Sequence, residues 1–370
     1  MSLLQPLAEH LKINKPLPWN VLDANGTLLL SKGYVIDDER QIKALLARGL
    51  YVDEDEFKEY LRHQPEKNPF DPFWEWEEIY LEVGTILRDH EKMTDFPART
   101  AKVCARIDEM IDHDADVGIF VMTQIDVTRY PVAHSLQTAF VCALLARRLE
   151  LSVEDRSPLM KAALTMNIAM LELQSMLFQQ SEPLTAEQRA QINEHPLRGR
   201  ERLEKLGVRD EKWLRAVAEH HEKRDGSGYP NRITDVLLLA EILHYTDIYC
   251  ALVSPRAYRK GLLPQQAARS LYLSCTDSNS TIGALIIKEI GLYPPGYFVK
   301  LANGDLAVVV RRGRQANTPH VCSLVTGSGL TCLEPLRRDT SLPDFAIVSS
   351  APAEDILVQV RPAKLFGYRV

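Results

Sequence analysis

His220-His221-Glu222-Lys223-Arg224-Asp225-Gly226-Ser227-Gly228-Tyr229-Pro230 is the stretch from which the rest of this chain is read. Adjacent histidines, a carboxylate and a Gly/Tyr/Pro turn put two imidazoles at a helix end, against a loop whose glycines permit sharp turning. The same residues also have a plain structural reading. A His pair at a helix C-terminus complements the helix dipole, and Asp-Gly-Ser-Gly is ordinary turn chemistry. The surrounding chain has to decide between the two.

Outward from this stretch, residues from about Glu77 to Ile290 follow a helical pattern with few Gly or Pro interruptions. Ala133–Leu151 reads as a largely buried helix, carrying Leu136, Phe140, Ala143 and Leu144 on one face. Leu159–Leu177, still more apolar, reads as one central helix. Thr185 and Gln188 stand at capping-box spacing before another. On these helices lie His134, His195, the His220-His221 pair and Asp247. Imidazoles and a carboxylate on several helices of one bundle suit a divalent transition metal such as Fe, Mn or Zn, although spacing alone does not show that they converge. His134 or His244 taken singly fits a hydrogen-bonded core residue as well as a ligand.

In order, the chain presents His134, His195-Pro-x-x-Gly199, His220-His221-Glu222-x-x-Asp225-Gly226-x-Gly228-Tyr229-Pro230, Asp247, and Arg256-Ala257-Tyr258-Arg259. This series resembles the HD-GYP subgroup of HD-domain phosphohydrolases over about residues 120–290. The resemblance implies an all-helical bundle that hydrolyses the bacterial second messenger cyclic di-GMP with two or three metal ions. It further implies that His134 and Asp247 hold one metal, that His195, His220 and His221 hold another, and that Arg256 and Arg259 contact nucleotide phosphate, a task suited to guanidinium. Asp225, Gly226, Gly228, Tyr229 and Pro230 form the loop that, by the same resemblance, docks proteins with a diguanylate cyclase domain.

One helix departs from that pattern. Ala162-Ala163-Leu164-Thr165-Met166-Asn167-Ile168-Ala169-Met170 places Met166 where the family has a metal-binding His, Asn167 where it has the bridging Asp, and Met170 where it has a Lys. Two divalent ions ~3.8 Å apart repel by roughly 17 kcal/mol at an effective dielectric of about 20, an illustrative Coulomb figure that a bridging carboxylate offsets. Asn167 is neutral, and the Met166 thioether is a soft donor poorly matched to such ions. Met166 and Met170, four residues apart, are expected to share a helix face and line the site with apolar surface. The expectation is a degenerate site holding one divalent metal or none. The protein would act as a cyclic di-GMP receptor or a scaffold, the alternative being a slow, single-metal phosphodiesterase acting on cyclic di-GMP or linear pGpG.

The expected fold class is mainly α. An HD-type helical bundle over residues 69–290 would be flanked by a small N-terminal α/β module with its connector, 1–68, and a C-terminal β module, 291–370. Asn-Gly turns at Asn25-Gly26 and Asn303-Gly304, each between apolar runs, predict hairpins in the two flanking modules. Further strands are expected at Val321–Val325 and Ile356–Val360, and a helix near Asp38–Arg48. The run Asp53-Glu54-Asp55-Glu56 reads as a solvated connector, and Arg311-Arg312-Gly313-Arg314 as solvated surface. The chain has 370 residues, 45% of them hydrophobic and 25% charged, and a net charge of -6, which supplies no global basic field for DNA or anionic lipid. Six scattered cysteines without a C-x-x-C pair, no positively charged leader and no apolar run near ~18 residues point to reduced thiols, a cytoplasmic location and no membrane span.

Overall fold

The structure is a computed structural model that describes residues 3–4, 11, 15–38, 40–42, 45, 50–62, 70–255, 261–274, 280–352 and 361–368. The chain divides into two compact units, Met1–Asp71 with Leu357–Val370, and Pro72–Ile356.

In the first unit the Asn25-Gly26 turn closes a hairpin of β2 (Val21–Leu22) and β3 (Leu28–Leu30), while β1 (Leu3–Leu4) pairs antiparallel with β4 (Val52–Asp53). Trp19 is fully buried and meets Phe57 and Tyr60 edge-on, with ring centroids 4.9 and 4.6 Å away. The acidic run is not a solvated connector. Asp53 accepts hydrogen bonds from the backbone N–H groups of Asp55 (3.0 Å) and Glu56 (3.2 Å), and Glu54–Arg62 follow as helix α1. Carboxylates are stabilised there by the helix dipole and the unpaired first-turn N–H groups. Glu54 is buried and paired with Lys58 at 2.9 Å. The helix expected near Asp38–Arg48 falls partly outside the described residues, and the strand at Ile356–Val360 wholly so.

The second unit is mainly helical, as the sequence pattern requires. Its helices are α2 (Pro72–Asp89), α3 (Phe96–Gln124), α4 (Tyr130–Arg148), α5 (Val153–Thr165), α6 (Leu171–Gln179), α7 (Ala186–Lys205), α8 (Glu211–Glu219), α9 (Leu238–Val253), α10 (Pro264–Ser274) and α11 (Ser280–Ile290). Helix α4 runs through the interior, with nearly every residue from Tyr130 to Ala146 buried. The Thr185–Gln188 capping box opens α7.

The run Leu159–Leu177 is two helices rather than one. The chain turns through Met166–Met170 with backbone hydrogen bonds from Ile168 to Thr165 (3.0 Å) and from Met170 to Asn167 (2.9 Å). The Ile168 carbonyl accepts from Arg202 Nη1 at 3.1 Å, so a side chain of α7 satisfies backbone that the break exposes. Met166 and Met170 therefore share no helix face. Met166 is fully buried at the end of α5, whereas Met170 precedes α6. Gly199 lets α7 approach this turn: a Cβ there would sit 3.1 Å from Val217 Cγ1 and 3.5 Å from the Met166 carbonyl oxygen.

The C-terminal part of this unit is a five-stranded antiparallel sheet in the order β8 (Thr331–Asp339), β7 (His320–Val325), β6 (Leu306–Arg311), β5 (Phe298–Leu301), β9 (Ile347–Ser350). Val299, Leu301, Ala307, Val309 and Val321 form a small core of its own. Arg311 and Arg312 are not simply solvated, because they bind helix α3. Arg311 pairs with Asp114 at 2.8 Å and Arg312 with Asp116 at 2.6 Å, where α3 leaves helical geometry at Asp114. Cys104, Cys142, Cys250 and Cys322 are buried and unpaired, and burial pushes the Cys104 and Cys142 thiols up to about 12. Among the described residues no helix is long and apolar enough to cross a membrane.

Candidate metal centre

Two helices bring the histidines together. His195 lies within α7, and His220 and His221 follow directly on α8, whose start is capped by Asp210. One nitrogen from each of His195, His220 and His221 lies within 4.8 Å of the others. His195 Nδ1 donates to the Ile192 carbonyl at 2.5 Å, and His220 Nδ1 to the Val217 carbonyl at 2.7 Å. Each ring thus spends its N–H on backbone and turns an Nε2 lone pair inward, where the two Nε2 atoms stand 3.2 Å apart. Two acceptors at that distance repel unless a cation lies between them. Two nitrogens each ~2.1 Å from one ion, at cis or tetrahedral angles, are roughly 3.0–3.4 Å apart.

The electrostatics agree. Burial, then the neighbouring His195, takes His220 down to about 3; burial, then His220, holds His221 well below its usual value; burial lowers His195. Neutral imidazoles are the ligating form, so the donor set fits one divalent transition metal.

Around this cluster the loop is held by carboxylates. Glu222, only 2% exposed, accepts backbone N–H groups from Asn231 (2.6 Å), Arg232 (3.1 Å) and Ile233 (3.2 Å). Glu219 accepts from the Leu237 N–H at 2.9 Å, tying α8 to the start of α9. Gly228 packs directly against Glu222, where a Cβ would fall 2.5 Å from Glu222 Cα. Tyr229 stacks on His221 with ring centroids 4.6 Å apart, and the following Tyr229–Pro230 peptide is cis. His244 donates from Nδ1 to the His220 carbonyl at 2.8 Å and buttresses the cluster from behind.

His134 and Asp247 meet each other: Nε2 donates to Asp247 Oδ1 at 2.7 Å. Burial pushes Asp247 up, but the His134 hydrogen bond and the electrostatic attraction of His134, His221 and His220 together hold the carboxyl well below the usual carboxylate range. Both residues line a cavity of about 440 Å³ together with Asn167, Met170, His195 and His221. Met166 is not among its lining residues. Arg256 and Arg259 lie outside the described residues. Sequence reasoning missed the anchoring roles of Glu222 and Glu219, as well as a wall of the cavity built from Tyr130, Gln174 and Phe178. The one available signal for that wall was a polar Gln174 within an apolar run.

Residues 121–275 match the family model described as "HD domain". The chain is 29% identical over 248 residues to cyclic di-GMP phosphodiesterase PA4108 of Pseudomonas aeruginosa, an alignment covering 65% of this chain and 57% of that protein. It is 30% identical over 135 residues to the 3'3'-cGAMP-specific phosphodiesterase 3 of Vibrio cholerae, covering 36% of this chain and 29% of that one. The chain therefore spans little more than half the length of the longer of these matches. In fold it is similar to Bd1817, an HDG"Y"P protein from Bdellovibrio bacteriovorus, with a TM-score of 0.57 and 16% identity over 78% of this chain and all of that one. With the paired histidines and the Gly-Tyr-Pro loop lying inside the matched stretch, residues 121–275 form an HD domain that is similar to those of HD-GYP type.

Proposed function

We propose that this is a cyclic di-GMP signalling protein in which binding has replaced two-metal hydrolysis, so that it acts as a nucleotide receptor or as a scaffold for proteins with a diguanylate cyclase domain. The observation that carries this reading is position 167. A neutral amide stands in the wall of the cavity that His134, Asp247, His195 and His221 also line, and Met166 is withdrawn into the core. In-line cleavage of a phosphodiester benefits from one ion at the attacking oxygen and one at the leaving oxygen, and Asn167 offers no anionic oxygen to hold two. The relatives whose names specify cyclic di-GMP or 3'3'-cGAMP support a cyclic dinucleotide as ligand. Arg256 and Arg259 would contact its phosphates. Gly226, Gly228, Tyr229 and Pro230 line a second, open cavity of about 620 Å³ with Arg232, which suits that loop to docking, with Asp225 beside it.

A second reading is favoured by the facing nitrogens of His195 and His220. A single metal held by His195, His220 and His221 would supply Lewis acidity, leaving slow phosphodiester hydrolysis of cyclic di-GMP or pGpG. Elemental analysis after anaerobic purification, paired with a cyclic di-GMP hydrolysis assay, separates the two. The expected result is no more than one metal per chain and no turnover. Turnover that disappears in His220→Ala would establish the second reading, and two metals with robust cleavage would overturn the first. A Met166→His, Asn167→Asp, Met170→Lys variant, with melting measured alongside, is expected to take up a further metal.

A further inference from the structure

Gln174 is buried in the cavity wall with an unmet need. It is 7% exposed, it lines the same cavity as His195 and His221, and its Oε1 has no hydrogen-bond donor among the described residues. Buried acceptors are almost always paired, and this orphan belongs to a residue that lines the cavity, so a ligand donor that reaches past the cavity wall would complete it. One turn further along α6 comes Phe178, on the same helix face. Its ring stacks on Tyr130 with centroids 4.9 Å apart and planes 19° apart, and both rings line the cavity. No Lys or Arg occurs among the described lining residues, so this end of the cavity suits a neutral part of a ligand rather than its phosphates.

An aromatic wall receives the face of a base, and a carboxamide reads a base edge on which an N–H donor adjoins an acceptor. We propose that Gln174 is the base-reading residue of this pocket, its Oε1 accepting a purine N–H and its Nε2 donating to the neighbouring acceptor while the base lies against Phe178 and Tyr130. This rests on the reading of the chain as a cyclic dinucleotide binder. Adenine offers such an edge through its amino group and a ring nitrogen, and guanine through N1–H and O6. Guanine brings an additional amino group that needs an acceptor of its own.

The test is calorimetric titration of the purified full chain with cyclic di-GMP, 3'3'-cGAMP and cyclic di-AMP, comparing the parent with Gln174→Leu and Gln174→Glu. Gln174→Leu is expected to weaken the best ligand about 10- to 100-fold, the range of a lost bidentate base contact. Its melting temperature should stay at or above that of the parent, because the unpaired acceptor is gone. Gln174→Glu, with two acceptors and no donor, is expected to shift preference toward guanine-bearing ligands by about tenfold or more. Affinities and preferences unchanged in both variants would overturn the role of Gln174 alone. A Gln174→Leu protein melting well below the parent would mark a structural group instead and overturn it too. If the parent binds none of the three nucleotides, the receptor reading falls, and this assignment with it.

Discussion

Nε2 of His195 and Nε2 of His220 face each other at 3.2 Å, each ring having committed its Nδ1–H to a carbonyl three residues earlier on its own helix. The helices themselves therefore fix the tautomers, and the two lone pairs converge without any contribution from loop side chains. A cation bound there would relieve the resulting repulsion and would then be a folding partner as well as a chemical one.

The first prediction follows directly. His220→Ala removes one of three nitrogen donors and is expected to weaken transition-metal affinity by ~100-fold or more, read by elemental analysis after dialysis against a competing chelator. Chelation of the parent should lower its melting temperature, since a ligand bound only to the folded state adds about 2.7 kcal/mol at a free concentration one hundred times its Kd. A melting curve indifferent to both metal and chelator would count against the centre.

Acid should weaken the metal-stripped protein. His220 is held at about 3 by burial and by His195, against an ordinary 6.5, so between those values the unfolded chain binds a proton that the folded chain does not. Stability from this group is complete above pH ~6.5 and falls as pH drops, by up to about 1.4 kcal/mol per pH unit. Denaturant titrations between pH 7.5 and 4.5 should show this slope, and it should be shallower in His220→Ala.

Glu222 gathers three backbone N–H groups from Asn231 to Ile233. Glu222→Ala is expected to cost about 2–4 kcal/mol, and Glu222→Gln less, because the amide keeps one acceptor oxygen. Amide exchange at residues 231–233 should accelerate in both variants. Unchanged protection there would show that the loop holds itself.

The sheet is joined to helix α3 through Arg311 on Asp114 and Arg312 on Asp116. A double-mutant cycle of Arg311→Ala with Asp114→Asn should give a coupling energy of about 1 kcal/mol, tempered by the partial exposure of Arg311. Strict additivity would mean that the pair contributes nothing to holding the sheet.

Much of this arrangement is written locally. The Asn25-Gly26 and Asn303-Gly304 turns, the Thr185–Gln188 capping box and the long interior helix around His134 each depend on residues within a few positions of one another. The break after Thr165 does not. Nothing between Met166 and Met170 forbids a helix, and the turn is completed by Arg202, 34 residues away, at the Ile168 carbonyl. The ion pairs of Arg311 and Arg312 likewise have partners nearly two hundred residues earlier, so from sequence those arginines read as surface. The three-histidine cluster was legible only because its motif carried a resemblance, since spacing by itself did not bring His195 to His220.

Met166 gives the molecule a kind of memory lock. Its side chain has no exposed surface, so its thioether serves as interior filling, at the position where the sequence resemblance leads one to expect a ligand. An imidazole seated there would place a polar ring in the interior, at a cost in stability that a bound metal would have to offset. Metal uptake regained through this position is therefore expected to come with a lower melting temperature in the metal-free protein.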